Sequence, residues 1–117
     1  MQKNIAFSRD FQIVHPPKDA DRKVLGQIES DAQALAVSLR AGGHKLASVG
    51  HALGKSESYI SRLCSGKRPI PEKLVDPLCR ATGCNLLRQY RDLQDAMADT
   101  CQRREVDRLA ALVRAAA

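Results

Sequence analysis

Between Lys45 and Arg68 the chain gathers side chains suited to gripping a polyanion. Five cations (Lys45, Lys55, Arg62, Lys67 and Arg68) stand there against Glu57 alone. Arg62 is the most informative, because a guanidinium offers a planar pair of donors that matches the acceptor edge of guanine. Ser58 can donate or accept toward a base or a phosphate, and Ser61 has the same chemistry. Glu57 only accepts, either from a cytosine amino group or as the favourable negative charge at a helix start. Lys45, Lys55, Lys67 and Arg68, with the Ser56 hydroxyl, suit phosphate oxygens, which position a protein without reading sequence. Reaction chemistry is poorly served. No Ser-His-Asp set, HExxH, glycine-rich phosphate loop or paired-carboxylate pattern occurs, so no enzymatic role and no cofactor is expected. Cys79 and Cys84 are five apart, wider than the usual paired zinc spacing, which favours small core residues over metal ligands.

These residues need elements to present them. In LASVGHALGKSESYISRLCSG, residues 46–66, Leu46, Val49 and Leu53 recur at helical spacing. Gly54 follows the last of them, where a chain leaving a helix often takes a positive φ. Ser56 is a good N-cap for a second helix, which buries Ile60 and Leu63 and turns Glu57, Ser58, Ser61, Arg62 and Ser65 elsewhere. Gly50 inside the first helix costs about 0.8–1 kcal/mol relative to alanine, and close approach of the second helix would compensate. Two short helices crossing steeply through a tight turn are the outcome, with the second able to enter a major groove.

The run LGKSESYISRLCSGKRP resembles the helix-turn-helix of lambda-repressor-like (Cro and XRE-type) DNA-binding domains. The matching positions are Leu53, Gly54, Ser56, Ser58, Tyr59, Ile60, Ser61, Arg62, Gly66, Lys67, Arg68 and Pro69. The resemblance covers about residues 20 to 85. It implies an all-α bundle of about five helices with an extra C-terminal helix, and a basic loop at Lys67 and Arg68 lying on the DNA backbone. Two positions depart from the pattern. Leu46 stands where a phosphate-clamping glutamine is common, and Lys55 stands where an apolar residue is usual.

Composition agrees with a small helical protein. Aromatic residues are 3% of the 117, Trp is absent, and the formal net charge is +6. That charge fits a polyanionic partner, double-stranded DNA first. No apolar run reaches the roughly 20 residues of a membrane span, and no signal-peptide pattern opens the chain, so a cytoplasmic protein with free thiols is expected.

Taken in order, residues 1–18 read as an N-terminal arm, with Phe7, Phe11 and Ile13 alternating loosely before Pro16-Pro17. An arm along DNA and a locally packed tail both remain open. Residues 19–98 read as the DNA-binding domain. Leu25, Ile28, Ala32, Leu35 and Leu39 place one helix over 20–41. A later helix spans about 71–82, with Pro77 either kinking it or starting a new one. Another runs from Asn85 to about Met97. Asp99-Thr100-Cys101-Gln102 reads as a capping box opening a last helix over 99–117. There Val106, Leu109, Ala110 and Val113 form a narrow apolar stripe, available for self-association or for packing on its own domain.

A sequence-specific transcriptional regulator, phage-type in size, is the leading expectation, with helix 57–65 in the major groove. One such helix reads only a few base pairs, so a homo-oligomer reading two half-sites is expected. Activator and repressor are equally open. The rival is an interaction module on the same scaffold, antitoxin-like or binding RNA polymerase or a host factor. The Leu46 departure and the acid Glu57 give it weight.

Overall fold

The computed structural model describes residues 16–116, and these form helices with no strand among them. The helices are α1 (Arg22–Leu25), α2 (Asp31–Gly42), α3 (Leu46–Leu53), α4 (Glu57–Ser65), α5 (Glu72–Thr82) and α6 (Leu86–Ala116). The expected all-α helix-turn-helix bundle with a C-terminal helix is therefore the architecture. The reading of residues 1–15 as part of an arm lies outside the described residues.

One core joins α2 to α6. Leu35 and Leu39 of α2, Val49 of α3, Ile60 and Leu63 of α4, Val75 and Leu78 of α5, and Leu86 and Leu87 of α6 are all buried together. Complete burial of each such side chain stabilises by roughly 1.5–3 kcal/mol, so this cluster dominates the fold. The two buried hydroxyls are satisfied within their own helices: Ser38 donates to the Ala34 carbonyl at 2.9 Å and Thr82 to that of Leu78 at 2.9 Å.

Two sequence expectations are corrected, and one left open is settled. The helix placed over 20–41 is broken: α1 ends at Leu25, and α2 starts afresh at Asp31. Ser30 caps α2, its Oγ accepting from the Gln33 amide at 3.1 Å, while Gln33 Oε1 accepts from the Glu29 amide at 2.5 Å. This variant of the capping box makes Ser30 a helix start. Second, the box expected at 99–102 does not form. α6 runs unbroken through it, and the Thr100 hydroxyl donates back to the Ala96 carbonyl at 3.0 Å. Residues 99–116 are thus the distal part of one helix. Of the two alternatives for Pro77, the start of a new helix is ruled out: Pro77 lies inside α5, which spans the residues expected of it. Its ring removes the donor for the carbonyl of Lys73, an exposed residue whose carbonyl water can satisfy.

A short leader is pinned to the base of α6. Lys18 donates to the Gly83 carbonyl at 3.1 Å, and Asn85 donates to that of Lys18 at 2.7 Å. The Ala20 amide donates to Gln89 Oε1 at 2.8 Å, and Gln89 Nε2 donates to the Ala20 carbonyl at 3.2 Å.

Arg88 and Arg91 then fix the direction of α6. Arg88 reaches Glu72, Asp76 and Asp92 at 2.8, 3.1 and 3.4 Å, while Arg91 reaches Asp31 and Glu72 at 3.0 and 3.2 Å. Arg88 first, then Arg91, hold the Glu72 carboxyl below its ordinary range. At 31 residues α6 is about 46 Å long, far longer than its seat on the core. From Asp92 onward every described residue of α6 is exposed except Ala110.

Candidate nucleic-acid interface

The turn between α3 and α4 is built around two glycines. Gly54 has φ +70°, and its amide bonds to the His51 carbonyl at 3.2 Å, so the chain leaves α3 in the left-handed region that glycine tolerates best. Gly50 faces the turn backbone: a Cβ there would lie 2.6 Å from the Lys55 carbonyl oxygen and 3.3 Å from that of Ser56. The Lys55 amide also donates to the Gly50 carbonyl at 2.8 Å. Close approach does justify this glycine, with the turn entering α4 as the neighbour. Ser56 then caps α4, its Oγ accepting from the Tyr59 amide at 3.1 Å.

With Ile60 and Leu63 fully buried, the opposite face of α4 is fixed outward. Glu57, Ser58, Ser61, Arg62 and Ser65 are all exposed. With Leu46 and Lys67 they line an open groove of about 430 Å³ between the head of α3 and the outer face of α4. Leu46, expected on the apolar face of α3 and noted as a missing polar contact, supplies an apolar wall to this groove. The four expected base-reading residues therefore share one accessible surface.

The expected phosphate contacts divide among four places. Lys67 lines the groove itself. Lys55 and Arg68 converge on Tyr59, with Lys55 Nζ 5.5 Å and Arg68 Cζ 5.7 Å from the ring centroid. The Lys67 and Arg68 amides both donate to the Arg62 carbonyl, at 3.0 and 3.2 Å, which folds this loop back on the end of α4. Lys45 is exposed at the head of α3, outside the groove lining. Ser56 commits one lone pair to the cap but keeps its hydroxyl proton to donate. Among the described residues, none of Lys45, Lys55, Arg62, Lys67 and Arg68 pairs with a carboxylate. Arg88 and Arg91, saturated by acids on α2, α5 and α6, are the contrast.

The four stripe residues lie on distal α6. Val106, Leu109 and Val113 are 58%, 47% and 70% exposed, and Ala110 is half-buried. Leu112, absent from the sequence-derived stripe, is 56% exposed beside Leu109. A shallow surface of about 380 Å³ by Asp99, Gln102, Arg103, Val106 and Asp107 adjoins it. The cysteines are free, and burial pushes the Cys64 and Cys79 thiols up. Among the described residues no group of three or more His, Cys, Asp or Glu is placed to hold a metal ion. No helix there is long and apolar enough to cross a membrane.

A capped helix presented by a glycine turn, its polar face open beside cations that have no acidic partner among the described residues, defines a helix-turn-helix DNA-binding module. Residues 31–89 match the family model of the helix-turn-helix domain, and the chain belongs to that family. The match begins with α2 and ends at Gln89, so the distal part of α6 lies beyond it. Beyond the family, the chain has no significant match among curated proteins or among solved structures.

Proposed function

We propose that this chain is a sequence-specific regulator of transcription that binds double-stranded DNA as a dimer or higher oligomer. The observation that carries this reading is the outward face of α4. Glu57, Ser58, Ser61 and Arg62 stand exposed on it with Lys67 beside them, and among the described residues Arg62 and Lys67 have no acidic partner. In this reading α4 lies in the major groove and Arg62 pairs with a guanine, while Glu57, Ser58 and Ser61 contact neighbouring bases. Lys45, Lys55, Ser56, Lys67 and Arg68 hold phosphates on either side. The stripe Val106, Leu109, Ala110 and Val113, with Leu112, pairs one chain with another, so that two copies of α4 read two half-sites. The test is selection of bound duplexes from a random pool, followed by Arg62→Ala. The substitution should cost about 1–3 kcal/mol on the selected site and little on random duplexes. Equal losses on both would remove Arg62 from base reading.

One observation favours a second reading, an interaction module for a protein partner such as RNA polymerase or a toxin. Leu46 gives the groove an apolar wall, which a protein side chain would use better than a phosphate. If the random pool yields no enriched duplex, this reading takes precedence.

A further inference from the structure

We infer that Tyr59 is a positioning residue that holds Lys55 and Arg68 ready as a two-pronged phosphate clamp. The inference rests on the DNA-binding reading above and assigns a role to a side chain which that reading leaves idle. Tyr59 is half-buried in the first turn of α4, packed on the core and fixed by the Ser56 cap. Lys55 comes from the turn before α4 and Arg68 from the loop after it, yet both cationic groups lie within 6 Å of this one ring. Among the described residues neither has a carboxylate partner. Two cations held near the same ring, with no acidic partner among the described residues, raise the positive potential around it.

The kind of contact decides what the site can do. A carboxylate would neutralise the two charges and occupy their donors, as Glu72 does for Arg88 and Arg91. An aromatic face holds a cation by its quadrupole and leaves the charge in place. A guanidinium held near a ring keeps N–H edges free for bidentate pairing with a phosphate. An ammonium likewise retains donors on the side away from the ring. Ordering a long cationic side chain at an interface otherwise opposes binding, and the ring does that ordering beforehand. The ligand is a phosphodiester backbone, contacted without regard to sequence.

The test measures affinity for a selected duplex and a random one in wild type, Tyr59→Leu, Tyr59→Phe, Lys55→Ala/Arg68→Ala and the triple variant, each verified folded by circular dichroism. Tyr59→Leu should lose about five- to tenfold on both duplexes alike, the scale of two weak cation–ring contacts. Tyr59→Phe keeps the ring face and should restore wild-type affinity. In the Lys55→Ala/Arg68→Ala background, Tyr59→Leu should have no further effect, a non-additivity that a merely structural role would not produce. In the free protein, the Lys55 and Arg68 side-chain proton resonances should lose their ring-current shifts in Tyr59→Leu alone. Wild-type affinity in Tyr59→Leu, or a loss that persists undiminished in the triple variant, would overturn the clamp and leave DNA binding intact. A wild-type protein that binds no duplex would overturn both.

Discussion

Gly50→Ala should damage this protein far more than the same change at Gly42, and the two sites show why. An alanine methyl at Gly50 would sit 2.6 Å from the Lys55 carbonyl oxygen and 3.3 Å from the Ser56 carbonyl carbon and oxygen. Ordinary contact begins at 3.4 Å, so the turn must retreat by about 0.8 Å. Backbone gives way there only by loosening the Lys55 amide bond to the Gly50 carbonyl and the Ser56 cap on Tyr59. Overpacking of this kind costs about 1–3 kcal/mol, and a lost cap about 1 more. Alanine recovers about 1 kcal/mol of helix propensity, leaving a net loss of about 1–3 kcal/mol. For a domain of this size that lowers the melting temperature by about 5–20 °C. At Gly42 the three atoms nearest the new methyl all belong to the His44 ring, which can swing aside and give up its 2.9 Å contact to the Thr82 carbonyl. Its stability should stay within about 1 kcal/mol of wild type. Thermal unfolding followed by circular dichroism compares the two directly. A Gly50→Ala protein as stable as Gly42→Ala would refute close packing of α3 on the turn.

Three further outcomes follow from the same geometry. Lys67→Ala and Arg68→Ala should weaken selected and random duplexes by the same factor, measured by fluorescence anisotropy, since phosphate contacts carry no sequence preference. Leu109→Asp and Val113→Asp should each give a smaller species in sedimentation equilibrium with the helices retained; a wild-type protein already monomeric at tens of micromolar would sink the pairing of distal α6. Because the folded-state pKa of Glu72 lies below its unfolded value near 4.5, its ion pairs stabilise the fold fully above that pH. That contribution is lost as pH falls through the lowered value, so Glu72→Gln should flatten the acid limb of a stability-against-pH curve.

Legibility varied with how local each signal was. The α3–turn–α4 unit could be read directly, because Leu46, Val49, Leu53, Ile60 and Leu63 keep helical spacing on both sides of Gly54, with Ser56 at the cap. The break before α2 was also written in the chain, as Ser30 and Gln33 three apart. It lost to a stripe of apolar residues that continues through Leu25 and Ile28, both half-buried in the structure without belonging to one helix with Leu35. At 99–102 the reverse holds. A cap pattern was present, but no glycine or proline interrupts α6, so the i→i+4 ladder prevails and Thr100 bonds backward. The meeting of Lys55, Tyr59 and Arg68 was not legible. It depends on how the loop after α4 folds back, which spacing along α4 does not encode. The clip of residues 18–20 on Asn85 and Gln89 joins positions more than 60 apart, beyond the reach of any local pattern.

The most direct measurement is the affinity of the protein for duplex DNA as a function of salt. With Lys45, Lys55, Lys67 and Arg68 each neutralising a phosphate, log K should fall against log salt with a slope of about −3 to −4 per chain. A slope near zero, or no binding at low salt, would contradict the assignment of the exposed face of α4 to DNA.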